Sequence, residues 1–548
     1  MTHRFYLRGL LLLVCLGLAT ILGFQPGYAD SAGSATVAGV RELAQNGAEL
    51  ERSHKWLEAI EHYEHALKAW PDNKELEYGL RRSKIHFSVE RRYTDQSFLK
   101  SLKSLPRTEA LALFDEVLGK VQGAYVDTMS ATSFVAHGTE SLYLALDDQR
   151  FLNANAPGRV PADASVFRRR LRDEFWNKPI AYPDREGARA VVSQICDIAR
   201  NELDLPAGPV VMEYVFGGCN ALDDYSGFLT PTRLSDLYGN IEGQFVGLGI
   251  EMKAEAGKGL LLVNVLPDSP AAEGGLRNNE HIVTIDGTDC RNLSTDEAAG
   301  LLQGREGSQV SLEVSRVEGE EHRQLRLTRR AVVVKSIPIV RMIDRENGIG
   351  YIQMASFQKS SAEELDAALN QLRNQGMRAL IWDVRGNPGG LLTAAVEVLD
   401  RFVDDGVLVS TRGRTIDQNM SYSAHRPGTW KVPLALLIDG DSASASEIVA
   451  GAVRDYKRGR IIGRKSYGKW SVQSIFPISR GTGLRLTTAK FYSPLGHTLG
   501  KIGVQPDIDV PHPDQHRVHF RGPTEIDVAG DEDIQSALGV LRRQVASR

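Results

Sequence analysis

Cysteine is scarce in this 548-residue sequence, which contains four. Cys15 lies in an apolar N-terminal run, and Cys196, Cys219 and Cys290 are scattered through the rest of the chain. Three scattered cysteines make neither a disulfide framework nor the spacing of a metal site. We therefore expect a fold that depends on its hydrophobic cores and keeps these cysteines as buried apolar side chains.

A charge imbalance is also lacking. Lysine and arginine total 65, against 69 aspartates and glutamates, for a formal net charge of −4. That balance gives no attraction to nucleic acid or to an anionic membrane surface, so we expect no nucleic-acid partner. The length allows three or four domains, each able to bury its own core.

Long apolar runs are missing as well. The strongest candidate, residues 9–24, is shorter than the roughly 20 residues of a membrane-spanning helix. It follows Arg4 and Arg8 and precedes Ala29, a small residue suited to cleavage, as in a secretory signal peptide. Residues 1–29 are therefore predicted to export the protein to the periplasm or cell envelope, and an uncleaved membrane anchor is the alternative.

Residues 38–90 have the charged, periodic pattern of paired helices. The residues that fall at the spacing of one tetratricopeptide repeat (TPR) are Gly47, Ala59, Tyr63, Ala66 and Pro71. One repeat seldom buries its faces alone, so we predict a TPR-like hairpin that packs on the next helix or on a protein partner. A plain amphipathic hairpin is the alternative.

The pattern divides the rest of the chain into four parts. Residues 107–240 are predicted to be helical, with an irregular insertion rich in proline, asparagine and charge at 149–185. Short alternating strands, glycine turns and one helix predict a small, partly open β-barrel at 241–330. Residues 331–513 alternate strands and helices, which builds a parallel sheet with its functional loops at one edge. A tail with a helix, 514–548, ends the chain.

One of these loops, GDSASASE at 440–447, holds three serines where a strand becomes a helix. Such a turn lifts a side chain above the sheet and leaves amides of the first helical turn free to bind an oxyanion. Ser442 falls in the turn and Ser446 in the helix, so Ser444 is the candidate nucleophile. The competing interpretation is a capping box of Ser444 with Glu447.

A nucleophilic serine requires a base. His425 and His497 lie in loop-like sequence without a signature that ties them to Ser444, and they stay alternatives because triad members need not be close in sequence. Lys469 has apolar and aromatic neighbours, whose burial would lower its pKa and keep the amine neutral. Lys465, beside an arginine, has the character of a solvated surface charge.

The stretch SASASEIVAGAVRDYKRGRIIGRKSYGKWSVQ, residues 442–473, resembles the catalytic segment of the carboxy-terminal processing peptidases, or tail-specific proteases. In that family a lysine follows the serine by 25 positions, as Lys469 follows Ser444 here. The resemblance implies that Ser444 is the nucleophile and Lys469 the general base. It also implies that Gln473 orients the lysine amine, without any metal ion, nucleotide or other cofactor.

The same resemblance implies further roles. Glu447 and Asp455 match supporting positions. The loop DVRGNPGG, residues 383–390, resembles the family loop that forms an oxyanion hole with the amide after the nucleophile. Gly390 and Ala445 are thus the implied donors, with the choice between Gly389 and Gly390 left open. The implied fold is a ClpP/crotonase-like ββα protease core within a multidomain α/β protein.

Residues 241–330 resemble the PDZ domain that the family inserts before its core. The implied carboxylate-binding loop consists of Phe245, Val246, Gly247, Leu248 and Gly249. The amides of this loop would receive the terminal carboxylate of a peptide that adds as a strand. The implied partners are protein or peptide substrates with apolar C-termini, with a further protein partner at the TPR-like hairpin.

The sequence departs from the family pattern at two sites near functional loops. Trp470 replaces the usual glycine after the lysine, and RNNEH at 277–281 replaces a proline–glycine–aspartate turn of the PDZ domain. The predicted function is a serine endopeptidase. Trp470 favours the alternative, a catalytically inactive PDZ and TPR scaffold of the cell envelope. The serine–lysine pair disfavours a third possibility, an acyl-CoA enzyme on a related superhelix.

Overall fold

The fold is described from a computed structural model. It describes residues 30–547 except 177, 181, 256, 294, 317–321, 426–428, 499 and 512–525. The predicted signal peptide and much of the predicted tail before its helix lie outside the described residues. The chain divides into two compact units, with the boundary between residues 87 and 88. Within the described ranges, no helix is both long and apolar enough to cross a membrane.

Helices of the first unit close around one aromatic side chain. The helices that begin in this unit are α1 (Asp30–Arg52), α2 (Trp56–Ala69) and α3 (Lys74–Arg92). Gly47 and Gly79 face the ring of Tyr63, where a Cβ atom would come within 2.3 Å and 2.4 Å of it. The Tyr63 hydroxyl donates to Glu51, which also accepts from Arg82. The predicted hairpin and its packing on the following helix are present, and its assignment as a TPR stays a prediction.

The second unit begins with helices and one short strand. Its first elements are α4 (Gln96–Ser101), α5 (Arg107–Ala124), α6 (Ala131–Ala145), α7 (Gln149–Asn155), α8 (Ser165–Arg170), α9 (Arg185–Leu203), α10 (Ala207–Cys219), β1 (Gly227–Leu229) and α11 (Pro231–Glu242). Side-chain oxygens cap many of these helices: Asp95, Ser130, Asp148, Asp184 and Thr230 each accept a first-turn amide. Cys196 and Cys219 are buried free thiols, as is Cys290 further on, which confirms the prediction for them.

The segment 149–185 is more regular than its composition suggests. It contains α7, α8 and a π-helical turn at Leu171–Phe175. Asp148 caps the first of these, and Phe151 and Phe167 are buried. Burial of these aromatic rings stabilises short helices whose local sequence has no clear period.

An antiparallel barrel follows. Its elements are β2 (Gln244–Gly247), β3 (Ile250–Glu255), β4 (Gly259–Val265), α12 (Pro270–Glu273), β5 (His281–Ile285), β6 (Thr288–Asp289), α13 (Thr295–Leu302), β7 (Gln309–Ser315), β8 (Arg323–Thr328) and β9 (Arg330–Val333). The main sheet has the order β3-β4-β5-β7-β8. Strands β2 and β9 pair with each other, with Gly247 opposite Arg330, so both ends of this region run side by side as a two-stranded ribbon.

The last part of the chain contains the parallel sheet. Its elements are β10 (Ile339–Asp344), β11 (Ile349–Gln353), α14 (Ser361–Asn374), β12 (Ala379–Asp383), α15 (Leu392–Leu399), β13 (Val407–Gly413), β14 (Ser421–Ser423), β15 (Leu434–Ile438), α16 (Ala445–Asp455), β16 (Arg460–Gly463), β17 (Ser471–Ile478), β18 (Thr482–Tyr492), β19 (Ile508–Asp509) and α17 (Glu532–Ala546). Short 3₁₀ turns lie at Ile416–Gln418 and Ser479–Gly481.

Two sheets build this core. One has the order β10-β11-β12-β15-β16-β19 and is parallel from β11 onward. Strands β12 and β15 are neighbours in it, so the loops that follow them share one edge, as predicted. The other sheet is antiparallel, with the order β1-β18-β13-β14 and β17 beside β18. Because β1 precedes the barrel in the chain, the barrel is an insertion into this core.

Candidate active site

Ser444 lies on a sharp turn between β15 and α16. Its φ of 58° and ψ of −111° are in the left-handed half of the map, which costs a non-glycine residue about 1–3 kcal/mol. The other two serines are tied down, since Ser442 Oγ donates to the Val384 carbonyl at 2.8 Å and Ser446 Oγ to the Asn387 carbonyl at 2.9 Å. Ser442 falls in the turn and Ser446 in the helix, as the sequence predicts.

One buried carboxylate joins the serine loop to the lysine loop. Oε2 of Glu447 accepts the amide of Ser444 at 2.9 Å and the amide of Lys469 at 2.8 Å. Its Oε1 accepts the Ser466 hydroxyl at 2.6 Å and the Gly468 amide at 2.7 Å. Burial raises the pKa of Glu447, and these hydrogen bonds oppose that rise. The backbones of Ser444 and Lys469 thus approach within two hydrogen-bond lengths of each other.

The Lys469 side chain is half-buried against an aromatic ring. Its Nζ lies 4.5 Å from the centroid of the Tyr225 ring. Burial lowers the pKa of Lys469, and the positive charge of Arg485 lowers it further, while Asp223 and Glu447 act in the opposite direction. Tyr225 also holds Arg485, whose Nε donates to the Tyr225 carbonyl at 2.8 Å. The sequence analysis missed Tyr225, Asp223 and Arg485.

Gln473, in β17, is held by two hydroxyl groups. Gln473 Nε2 donates to Ser471 Oγ at 2.9 Å and to Thr487 Oγ1 at 3.2 Å. Among the described residues, no direct hydrogen bond joins the Lys469 amine to Ser444 Oγ or to Gln473. The predicted orienting role of Gln473 stays a prediction.

Trp470 fills the core beneath the lysine loop. Its indole is 4% exposed and stacks on Phe491, with ring centroids 4.7 Å apart. A Cβ atom on Gly451 of α16 would lie 3.4 Å from the same indole. Trp470 therefore packs into the core, on the helix that follows the serine.

The loop 383–390 packs directly on the serine turn. A Cβ atom on Gly389, whose φ is +104°, would lie 2.7 Å from both Ser444 Cβ and the Ala443 carbonyl oxygen. The Gly389 amide donates to Asn387 Oδ1 at 2.9 Å. Asn387 is fully buried, and its carbonyl accepts the Ala443 amide at 3.0 Å. Asn387 was missed by the sequence analysis, although its place in a glycine- and proline-rich turn is typical of such side-chain-to-backbone hydrogen bonds.

Two amides beside this contact have no protein acceptor among the described residues. They belong to Gly390 and Ala445. Gly390 is held by a bridge to Phe357, and Ala445 is the first residue of α16, where amides lack intrahelical partners. Since the Gly389 amide already has an acceptor, Gly390 is the free donor in its loop.

The remaining polar candidates are held elsewhere. Asp455, at the end of α16, accepts the Leu495 amide at 3.0 Å and the Arg454 guanidinium at 2.8 Å. The His425 ring nitrogen Nδ1 lies 2.9 Å from Asp400, with its side chain 75% exposed. The His497 amide donates to Ser493 Oγ at 3.2 Å. Lys465 is exposed, as predicted.

The predicted carboxylate-binding loop spans the end of β2 and the turn before β3. Phe245, Val246 and Gly247 are in β2, and Leu248 and Gly249 form the turn. The φ of Gly249 is +77°, and a Cβ atom there would lie 2.3 Å from the Cβ of Ser269, so the turn requires glycine.

The unusual RNNEH stretch forms a turn in which Asn279 has a φ of 68° and Asn278 accepts the Val265 amide. In the described ranges, no group of three or more histidine, cysteine, aspartate or glutamate side chains could hold a metal ion.

The chain is similar in sequence to known proteases and to known domain families. The model for peptidase family S41 matches residues 348–510, and a PDZ domain model matches residues 262–316. The carboxyl-terminal-processing protease of Picosynechococcus sp. is 36% identical over 294 residues, which cover 53% of this chain and 70% of that protein. The carboxy-terminal-processing protease of Bartonella bacilliformis is 36% identical over 298 residues, or 54% of this chain and 68% of that protein.

A solved structure, that of a photosystem II D1 C-terminal processing protease, covers 73% of this chain and 92% of its own, at 27% identity and a TM-score of 0.40. Helices, an inserted PDZ domain and an α/β core together define a multidomain serine peptidase. The chain belongs to the carboxy-terminal processing proteases of peptidase family S41. Its PDZ domain binds the C-termini of protein substrates.

Proposed function

We propose that this protease cleaves exported proteins with apolar C-terminal tails, and that Ser444 and Lys469 form its catalytic dyad. The observation that carries the proposal is the shared Glu447 carboxylate, whose Oε2 accepts the amides of both residues. This contact keeps a strained serine beside a half-buried lysine at the open edge of a parallel sheet. A lysine whose pKa is lowered by burial can act as a base near neutral pH.

In the proposed reaction, the Lys469 side chain turns from the Tyr225 ring towards Ser444, and Gln473 orients the amine. The neutral amine takes the hydroxyl proton as Oγ attacks the peptide carbonyl. The free amides of Gly390 and Ala445 donate hydrogen bonds to the negative oxygen that forms. The lysine then gives its proton to the leaving amine, and water hydrolyses the acyl-enzyme. Glu447 and Asp455 hold the two ends of α16.

The PDZ domain supports the choice of tail. The amides of its segment 245–249 would receive a terminal carboxylate, and the peptide would add as a strand along β3. Apolar side chains of β3 and α13 pack partly buried against the barrel core: Ile250, Met252, Ala254 and Leu301. An apolar tail would bury more of this surface, whereas a charged tail would lose solvation there.

Other parts of the proposal rest on the sequence pattern and the described elements. The core would be of the ClpP/crotonase-like type, which the parallel sheet with its flanking helices supports. The signal-like residues 1–29 support export to the periplasm or cell envelope, with or without cleavage. The small residues around Tyr63 support a TPR-like hairpin that binds a further protein.

A cleavage assay tests the proposal. The purified chain from residue 30 is incubated with an unfolded protein that ends in either an apolar or a charged tail. We expect cleavage that prefers the apolar tail, and loss of cleavage in Ser444→Ala and Lys469→Ala. Lys465→Ala, an exposed lysine in the same loop, is the matched control and should cleave like the parent.

Cleavage by Lys469→Ala at the parent rate would rule out the dyad. If the parent bound tails through its PDZ domain without cleaving them, the inactive scaffold would be the better interpretation.

A further inference from the structure

Five charged side chains meet at the edge of the parallel sheet that carries the proposed active site. We refer to Asp383, Arg385, Arg464, Asp531 and Asp533 as the edge cluster. The guanidinium of Arg385 is 1% exposed and lies 2.6 Å from Asp383, 2.9 Å from Asp531 and 2.7 Å from Asp533. Asp533 is 3% exposed, and both of its carboxylate oxygens accept from Arg464 Nη1 at 2.9 Å.

Four members of the edge cluster lie near the start of three different segments, and Asp383 ends β12. Arg385 begins the loop that carries Gly389 and Gly390, and Arg464 begins the loop that leads to Lys469. Asp531 and Asp533 lie at the start of α17, where Asp531 caps the helix by accepting the Ile534 amide at 3.1 Å. Asp533 therefore contacts both functional loops at once.

Helix α17 is distant in sequence from the loops that it contacts through the edge cluster. The match to the peptidase family model ends at residue 510, whereas α17 begins at Glu532. The apolar face of α17 packs on β12, β15 and β16, the strands that precede the three site loops. The side chains of α17 and of these strands share one buried apolar cluster, which includes Ile534, Leu538, Leu541, Ile381, Leu437 and Ile462. The start of a helix outside the matched region thus supplies two of the three carboxylates of the edge cluster.

The ion pairs couple the position of the loop that carries Arg385 to that of the loop that carries Arg464. Arg385 contacts three carboxylates, whereas the carboxylate that Arg464 contacts among the described residues is Asp533. Neutralising Asp533 therefore leaves the largely buried Arg464 guanidinium without its ion-pair partner and removes one of the three partners of Arg385. The unpaired guanidinium regains solvation when the loop that carries it moves outward into water. Movement of the lysine loop would break the hydrogen bond from the Lys469 amide to Glu447, and movement of the 383–390 loop would break the close contact of Gly389 with the Ser444 turn.

We propose that α17 is a positioning element of the active site, and that Asp533 aligns the oxyanion loop and the lysine loop through Arg385 and Arg464. This inference rests on the proposed function, since it assigns the two loops their catalytic roles. Asp533 touches no reacting atom and acts through the two arginines.

The test compares Asp533→Asn with Arg542→Gln. Arg542 also lies on α17, and its guanidinium pairs with Asp344 of β10 at 2.7 Å, so its loss removes an ion pair that docks α17 without touching the edge cluster. We expect Asp533→Asn to lower kcat on a tail-bearing substrate by about 10- to 100-fold with little change in KM. Arg542→Gln should keep the parent kcat, and equal losses of kcat in both variants would overturn the inference.

Two further measurements separate positioning from general stability. Amide hydrogen exchange of residues 385–390 and 464–469 should become faster in Asp533→Asn than in Arg542→Gln at a matched distance below each Tm. This readout needs no activity, and unchanged exchange in both loops would overturn the inference by itself. The double variant Asp533→Asn/Arg464→Gln should lose about as much kcat as Asp533→Asn alone, because both substitutions act on one contact.

A Ser444→Ala variant run in parallel keeps the two proposals apart. If parent cleavage depends on Ser444 while Asp533→Asn equals Arg542→Gln, the inference about α17 fails and the proposed function stands. If parent cleavage does not depend on Ser444, the proposed function fails.

Discussion

The amine of Lys469 lies among charges of both signs. Arg485 disfavours its protonation, whereas Asp223 and Glu447 favour it, and burial disfavours it most. Burial also lowers the pKa of Arg485. A second cation beside a buried lysine is an effective way to keep the lysine neutral. The site therefore combines an aromatic ring that holds the ammonium form with a neighbouring arginine that destabilises it.

The pH dependence of cleavage should respond to these neighbours in opposite directions. A general base acts in its neutral form, so with Lys469 as the proposed base kcat/KM should rise as the pH passes through the pKa of Lys469. Arg485→Gln removes a neighbour that lowers this pKa and should move the rising limb to higher pH, whereas Asp223→Asn should move it to lower pH. The profile of kcat/KM against pH measures both shifts. Arg480→Gln, an exposed arginine near the same strand, should leave the limb in place.

At the residue scale, the sequence could indicate the candidate serine and lysine but not their surroundings. The 25-residue separation and the small residues around Ser444 lie in one continuous stretch. Tyr225 and Arg485 are 260 residues apart and meet because β1 pairs with β18. Strand register across such a distance depends on tertiary packing, which a local pattern does not contain. The buried Glu447 could be predicted as a helix cap, but not as the acceptor of the Lys469 amide.

At the scale of structural elements, the loop after β12 makes a close contact with the serine turn after β15. Gly389 touches the serine turn with no room for a side chain. The loops after β12 and β15 were predictable neighbours, because alternating strands and helices give a parallel sheet. Their mutual approach was not predictable, since it depends on Asn387 and on the left-handed conformation of Gly389.

Gly389→Ala should separate these loops. Its Cβ would meet Ser444 Cβ and the Ala443 carbonyl at 2.7 Å, so the proposed oxyanion donor Gly390 would move relative to the proposed nucleophile Ser444. Loss of one such donor lowers kcat by about 10²–10³-fold, and we expect a decrease in that range in steady-state assays.

Gly386→Ala is the matched control for this prediction. Gly386 lies in the same loop with a φ of +67°, but nothing lies within 4 Å of an added Cβ. It should lose about 1 kcal/mol of stability and keep most of its kcat. Equal losses of kcat in the two variants would contradict the prediction.

At the scale of the whole molecule, the PDZ domain is connected to the core by two adjacent strands. Strands β2 and β9 pair from Gln244↔Val333 to Gly247↔Arg330, so the chain leaves the core and returns to it at neighbouring positions. The core itself is completed by β1, from before the insertion, which pairs with β18. The strand pattern predicted a separate small barrel and the family resemblance implied that it is inserted, but the pairing of its two ends became visible only in the structure.

Excision of the PDZ domain should therefore leave a folded core. A variant that joins Gly247 to Arg330 through Asn-Gly would close β2 and β9 as a hairpin with a tight turn. We expect a cooperative thermal transition and Ser444-dependent cleavage of a short peptide. Preference for a free over an amidated C-terminal tail, measured as a ratio of kcat/KM, should disappear. A persistent preference would place tail recognition outside the PDZ domain.

The backbone conformation of Ser444 sets the stability of this enzyme against its activity. A glycine would adopt the same φ and ψ without strain, so the fold alone would be better served by a residue that has no hydroxyl. The surrounding contacts hold a conformation that the serine does not prefer, and they do so at the position of the proposed nucleophile. Thermal robustness and catalysis thus make opposite demands on a single residue.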